Sequence, residues 1–395
     1  MPIATRSHSD LLATVESLRD IATTHAPESE RRRTLAPPVV AALHESGLTG
    51  FASPAAVGGG EHGPFTQLAV IEALARIDTA TAWSLMITAL LAAQAGAYLP
   101  DRGVQEVFAA GVPLCAGLLF PSGALRRVDG GFRVHGRWGF GSGIRHAEWL
   151  VTSAVADSQT PGAPPMWTIV VPASEATIED TWHVGGLRGT GSHHYRLEDC
   201  FVPHDRVFAF PDAPARRGAA SFDLPFVALL APVHAGFVLG AARAALDAIA
   251  ALAPQKIKAW PRTPLAAHGG FQMDLGRAEA KLRGARALAV EACERLEDRS
   301  RAGLPLADAD WATVRLAVTY ATDVATEVAT FTFHAGGGAA LYEGHPLERL
   351  FRDIHAAAQH VAATDDAYEF AGRLLLGAAE PSLLLGPRAP RHVAT

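Results

Sequence analysis

Cysteine is scarce: the 395-residue chain has three, Cys115, Cys200 and Cys293, lying far apart. An odd, scattered count is no disulfide framework, and without a CxxC pair the usual zinc sites are excluded. Aromatic residues make up only 7%, which leaves no stacking platform for single-stranded nucleic acid. There is no basic excess either. The 34 Lys and Arg stand against 40 Asp and Glu, a net charge of −6, and no like-charge run forms an electrostatic tail. Nucleic acid is therefore not an expected partner. The opening residues, MPIATRSHSDLLATVESLRD, have no unbroken apolar stretch after a basic one, so no secretory signal is expected. The longest apolar stretch, 79–99, carries Thr, Ser, Gln and Gly. It reads as a buried core helix and not a membrane span. A reducing cytoplasm is the expected location. A phosphate-cradling loop ending in Gly-Lys-Ser/Thr and an HExxH metal motif are also missing. Gly139, Gly141 and Gly143 lie between strand-like segments and are no dinucleotide fingerprint.

What is present is globular: 49% hydrophobic and 19% charged residues, with length for two or three domains. Residues 1–111 read as helical, with helical spacing in LLATVESLRDIA, VVAALHESGL and FTQLAVIEALARI. Gly47 is a helix stop, and Asp78-Thr79 caps the helix that follows. Between 112 and 213 the period shortens. LRRVDGGFRVHGRWGF is a hairpin turning at Asp129-Gly130, and WLVTSAVA and MWTIVVPA are short strands, so this stretch is a β-barrel or sandwich. From 214 to 395 four long helical segments joined by short breaks suggest an antiparallel bundle, with a frayed tail after 385. The class is α+β, mostly α.

Three segments carry chemistry. In GGFRVHGRWGFGSGIRHAEW, Phe140 and Ser142 alternate on one strand and so share a face; alone, this is also an ordinary Gly-rich bend with a solvated serine. In DTWHVGGLRGTGSHHYRLEDCFVP, the residues Arg188, Gly189, Thr190, Gly191 and Ser192 offer backbone N–H groups and two hydroxyls to a phosphate or a ring edge, as any tight loop does. His193 and His194 are adjacent, face opposite ways on a strand, and do not chelate one metal ion. In GGGAALYEGHPLERLFRDIHAAAQH, a helix after Pro346 places Leu347, Leu350, Ile354 and Val361 on one apolar stripe, and Arg349, Asp353 and His360 on another. Arg349–Asp353 and Glu348–Arg352 are ordinary helix ion pairs worth about a few tenths of a kcal/mol each.

Taken together, the order of helices, β-domain and bundle with these motifs resembles the acyl-CoA dehydrogenase fold over about residues 10–385. Within it, the chain is most similar to the reduced-flavin-dependent monooxygenases of two-component systems. The resemblance implies an N-terminal helical domain, a middle β-barrel and a C-terminal four-helix bundle, assembled as a homotetramer. It implies reduced FMN or FAD (FMNH2 or FADH2) and O2 as cofactors, delivered flavin from a separate NAD(P)H:flavin reductase, and oxygen insertion into a small organic substrate through a flavin C4a-hydroperoxide. Ser142 is then the hydrogen-bond partner of flavin N5, Phe140 and Trp182 border the isoalloxazine, and the 186–192 loop contacts the flavin. His360, matching the histidine that ends the RDxxAAxxH-like stretch, handles the peroxide or substrate proton. Gly336, Gly337 and Gly338 either approach the cofactor phosphates or form a plain interhelix turn. The dehydrogenases' proton-abstracting Glu falls at Val361, which speaks against dehydrogenation; Tyr342-Glu343-Gly344 lies upstream of the helix and is no substitute. Phenol-hydroxylating relatives carry a His on the helix matching 79–98. Here that helix has none and offers Trp83, Met86 and Leu90 as pocket walls, which suits a more apolar substrate, an amine or an indole. The alternatives are a dehydrogenase-like flavoenzyme and a flavin-free scaffold.

Overall fold

The computed structural model describes residues 3, 6–120, 122–156, 166–209 and 214–378; the tail after 385 lies outside them. Contacts divide the chain into two units. The first comprises residues 1–63, 83–184 and 188–226; the second comprises 64–82, 185–187 and 227–395.

The first unit opens with α1 (His8–Ser17), α2 (Arg19–Arg32) and α3 (Pro37–Ser46). Ser7 caps α1 through a reciprocal bond with Asp10. The expected single helix over 11–22 is interrupted at Leu18, and Gly47 closes α3 at φ 73° as predicted. Helix α4 (Pro64–Ala75) belongs to the second unit. Helix α5 (Thr79–Tyr98) starts where Asp78 Oδ2 accepts from the Thr81 backbone N–H at 2.8 Å and hydroxyl at 2.6 Å. Short α6 (Asp101–Val107) follows.

Eight strands form one hydrogen-bonded sheet: β1 (Cys115–Ala116), β2 (Gly123–Val128), β3 (Gly131–Gly141), β4 (Trp149–Ala156), β5 (Met166–Pro172), β6 (Thr177–Glu179), β7 (His193–Pro203) and β8 (Val207–Ala209). The order is β6-β7-β3-β2-β4-β5-β8, with β1 pairing β4. The predicted hairpin is β2–β3: Val128 pairs Gly131 across Asp129-Gly130, and Gly130 takes φ 75°. Seven of these strands contribute to one buried core cluster around Phe132, Trp138, Ile169, Tyr195 and Val202, and Ile178 of β6 packs against it. Trp138 and Tyr195 stack at 5.6 Å. Their polar tips are satisfied inside the core: Trp138 Nε1 donates to the Ser153 carbonyl at 2.8 Å and the Tyr195 hydroxyl to Thr152 Oγ1 at 2.9 Å.

The second unit is a helical bundle of α4, α7 (Phe226–Leu252), α8 (Gly269–Arg301) and α9 (Asp308–Gly336), completed by α10 (Pro346–Ala357) and α11 (Asp366–Leu375). Helices α5 and α7 are long and apolar enough to cross a membrane, yet both are buried as core helices. The predicted fourth bundle helix is two helices. A turn over 358–365 separates them, because the His360 ring takes the Ala362 backbone N–H at 3.2 Å that a continuing helix needs. Asp366 then starts α11, held by the buried Arg315 of α9 at 2.8 Å. As a consequence Val361 is 62% exposed and Leu350 only half-buried, so the expected apolar stripe stops at Ile354. His360 lies in the turn and not on the helix.

Glycine sets the approach of α7 to α4. A Cβ on Gly236 would lie 2.4 Å from the Leu68 carbonyl oxygen, and one on Gly240 2.1 Å from that of Glu72. Both obstacles are backbone, so relief requires moving a helix. Replacing Gly240 by Ala is expected to destabilise the protein by about 1–3 kcal/mol, read as a lower urea midpoint. An unchanged midpoint would show that the two helices are not held this closely.

Candidate active site

A relay of hydroxyls lies buried in the first unit. Thr190 Oγ1 and Ser192 Oγ are 2.7 Å apart, and Ser192 Oγ and Ser142 Oγ 2.8 Å. Trp83 Nε1, which only donates, reaches Ser142 Oγ at 3.2 Å. One lone pair of Ser142 is thus always occupied. The relay itself can run either way, so Ser142 presents a proton in one direction and a second lone pair in the other. Trp83, the expected substrate wall, lies in the first turns of α5, which are buried from Thr79 onward. Met86 and Leu90 are buried further along the same helix.

The predicted shared face of Phe140 and Ser142 does not form. The β3–β7 register shifts between Trp138 and Gly141, and Phe140 takes φ 57°. The bulge re-aims the side chain: Phe140 is 61% exposed while Ser142 is buried. Ser142 sits just past the strand, its N–H bonded to the Phe140 carbonyl at 2.8 Å. Phe140 packs edge-on against Trp182 and against His194, both at 6.2 Å. The two expected ring neighbours, Phe140 and Trp182, are therefore together.

Beside Trp182 lies a charged cluster that sequence reasoning missed. Asp180 binds Arg33 at 2.8 Å and Arg145 at 3.2 Å, and the Arg33 hydrogen bond holds its carboxyl down at about 2. Arg145 Nε also donates to Nε2 of the buried His193 at 3.0 Å. Among the described residues no His, Cys, Asp or Glu cluster could hold a metal ion.

Residues 188–192 belong to the first unit and 185–187 to the second, and each stretch is held within its own unit. In the first, Arg188 Nε donates to the Val184 carbonyl at 3.1 Å, and Gly189 to Ser192 are buried. Gly191 has φ 56°, and a Cβ there would meet the Arg33 carbonyl at 2.6 Å. In the second, Gly186 lies so close to α10 that a Cβ would be 2.1 Å from the Arg352 carbonyl. The Leu187 N–H donates to Asp353 Oδ1 at 2.6 Å, and Arg352 Nη1 to the Gly185 carbonyl at 2.7 Å. Asp353 is buried and also accepts from the Thr79 hydroxyl at 2.5 Å. The predicted Arg349–Asp353 pair exists at 3.5 Å, but Arg349 lies closer to Asp78, at 2.5 Å. Glu348–Arg352 forms as predicted, at 2.5 Å.

His360, in the second unit, accepts the Ala362 N–H on Nδ1. Burial lowers it to about 4, so at neutral pH it is uncharged. With Nδ1 accepting, the proton sits on Nε2. Its ring stacks on His234 of α7, with centroids 4.9 Å apart. Sequence reasoning passed over His234, although a lone histidine within an Ala-rich apolar helix is the signal that could have found it. At the end of α9, Gly337 takes φ 52°, and Lys256 Nζ donates to the Gly336 carbonyl at 2.6 Å. Lys256 thus caps the C-terminus of α9 at the triple glycine, as a cation does at many helix ends.

These residues fit a flavin. An exposed aromatic edge adjoins a buried hydroxyl able to meet a ring nitrogen that is protonated in one state and bare in another. Comparison with known proteins agrees. Residues 5–99 match the acyl-CoA dehydrogenase N-terminal domain and residues 232–365 the acyl-CoA dehydrogenase C-terminal domain. The chain is 32% identical to an indole-3-acetate monooxygenase of Pseudomonas putida over 92% of each chain. It is 28% identical to the oxygenase component of an FADH2-dependent resorcinol hydroxylase of Rhizobium sp., covering 95% of this chain and 96% of that one. XiaF from Streptomyces sp., solved in complex with FADH2 and glycerol, superposes with a TM-score of 0.85 at 29% identity over 97% of both chains. Fold and site thus define a flavoprotein of the acyl-CoA dehydrogenase class. Within it, the chain belongs to the two-component flavin-dependent monooxygenases, oxidoreductases that use reduced flavin and O2 and rely on a separate reductase.

Burial at two places has measurable consequences. Asp353→Ala strands the Leu187 N–H and the Thr79 hydroxyl and removes one partner of Arg349. A loss of about 3–5 kcal/mol is expected in denaturant unfolding, with Asp353→Asn losing less; equal stability of all three proteins would contradict the anchor. Separately, His146 and His360 are both lowered by burial from 6.5 to about 4. The unfolded chain takes up these protons first as pH falls. Stability is therefore full above pH 6.5, declines between 6.5 and 4 by roughly 1.4 kcal/mol per pH unit for each ring, and levels below. Urea midpoints between pH 7.5 and 4.5 test this, with His146→Gln expected to flatten the slope.

Proposed function

We propose that this chain is the FADH2-using oxygenase of its two-component system and that its substrate is an aromatic of indole size. The hydroxyl relay ending at Ser142 carries the flavin part of this reading. The relatives support the substrate class, as does α5, which has no histidine to meet a phenol hydroxyl and presents Trp83, Met86 and Leu90 instead. When bound, reduced flavin activates O2 and delivers one oxygen atom to the substrate, the other leaving as water.

The protein's part is to hold protons and exclude water. Ser142 is the residue that meets the flavin ring nitrogen N5. With the relay running outward from Thr190 it donates; reversed, it accepts, and no side chain has to move. Phe140 and Trp182 give the ring an apolar edge, and the anchored 188–192 loop holds Ser192 and Thr190 in line. His360 contributes Nε2–H, a neutral donor to the oxygen being transferred or to the substrate. Lys256 and the Gly336–Gly338 turn are suited to the cofactor's phosphates. We further assign a homotetramer: Ile257, Trp260, Leu341 and Tyr342, flanking Lys256 and that turn in sequence, are 58%, 84%, 70% and 74% exposed, a surplus of apolar surface that association would cover.

Reduced FAD and reduced FMN, each mixed anaerobically with the protein and then with O2, test the reading. Wild-type protein should delay the return of oxidised flavin relative to free flavin, more with FAD. Ser142→Ala should shorten the delay about tenfold or more and divert electrons to hydrogen peroxide. No delay in the wild type would sink the proposal. Among indole-3-acetate, indole and resorcinol, the indoles should give oxygenated product at the higher yield per NADH. Sedimentation should give a species of four chains.

A further inference from the structure

His234 takes no part in the reading above. It lies within α7, fully buried in an apolar stretch. Other faces of this helix meet other elements. Gly236 and Gly240 meet α4, and Ala231 and Ala235 pack toward α8 and α9. The His234 face meets the His360 ring, at 4.9 Å between centroids and 27° between planes. His360 is tied at Nδ1 by the Ala362 N–H. A hydrogen bond to a ring edge fixes one atom and leaves the tilt of the plane to its neighbours. A flat partner against its face sets that tilt, and removes water from the same face.

We propose that His234 is a positioning residue for His360: its stacked ring holds the imidazole with Nδ1 on the Ala362 N–H and Nε2–H as the nitrogen offered for chemistry. The proposal rests on the assignment of His360 as the proton-handling residue. Burial lowers both rings, and the charge that His360 would carry lowers His234 further. Both rings are therefore uncharged at neutral pH, which leaves the stacked geometry undisturbed there.

The test compares wild type, His234→Ala and His234→Phe, first as flavin-free protein by imidazole nitrogen NMR, then in turnover with reduced flavin supplied. In the wild type His360 should stay neutral from pH 8 to 5, its proton on Nε2. In His234→Ala the ring should become a mixture of tautomers and its midpoint should rise by at least about one pH unit toward 6.5. Product per reduced flavin consumed should fall at least threefold, with KM within twofold. His234→Phe keeps the flat surface and should restore all three readouts. Should His234→Ala fail to fold, His234→Asn removes the ring with a smaller cavity. An unchanged tautomer and midpoint without the ring, or a folded His234→Phe that does not restore them, overturns the proposal. If the tautomer shifts as expected but His360→Ala turns over with wild-type coupling, positioning stands and the role given to His360 falls.

Discussion

The carboxylate of Asp353 is the constraint on which the second unit depends around α10. It is buried on α10 and receives the Leu187 N–H, the Thr79 hydroxyl and the edge of Arg349. Each partner comes from a different structural feature. Leu187 lies in the segment leading into the 188–192 loop, Thr79 opens the first turn of α5, and Arg349 also holds the neighbouring Asp78 cap. An ionised group out of water is costly unless every lone pair is used. Here that cost is met by fixing three backbone stretches at once. The close approach of Gly186 to the Arg352 carbonyl follows from the same pinning, since only glycine leaves room for it.

The proton inventory of the proposed chemistry is arranged by burial more than by charge. Ser142 lies in a relay of neutral hydroxyls, and His360 is kept uncharged by its surroundings. Charged groups are present nearby in each unit, but they are paired: Asp180 with Arg33 and Arg145, Asp78 with Arg349. In a poorly solvated site an unpaired charge would draw in water, and water is what an oxygen-transferring flavin has to be shielded from. Neutral donors held in place supply hydrogen bonds without that penalty.

The chain also shows how short-range bonds reshape elements that periodicity predicts as continuous. The His360–Ala362 bond breaks the last bundle helix in two and lifts His360 off the stripe where Arg349 and Asp353 lie. The bulge between Trp138 and Gly141 does the same to a strand, turning Phe140 outward and leaving Ser142 inside. At both places the departure from regular structure is where the proposed chemistry sits, as expected when local rules yield to function.

Much of the architecture was legible in residue order alone. The hairpin at Asp129-Gly130, the Gly47 stop, the Asp78 cap and the long apolar helices all rest on local backbone preference, which needs no distant partner. The motifs resembling the flavin-dependent monooxygenases were legible too, because Ser142, Thr190, Ser192 and His360 are few residues in recognisable frames. Other features depended on chain segments far apart in sequence. Trp83 meets Ser142 across 59 positions, Asp353 meets Thr79 across 274, and His234 faces His360 from another helix. No pattern within one segment encodes such pairs, since their energy comes from burial and hydrogen-bond completion that exist only once the chain has folded. The sequence alone thus carried the fold class and the residues proposed for the site. Folding settled which of those residues are oriented, paired and kept neutral, because orientation and solvent exclusion are properties of packing.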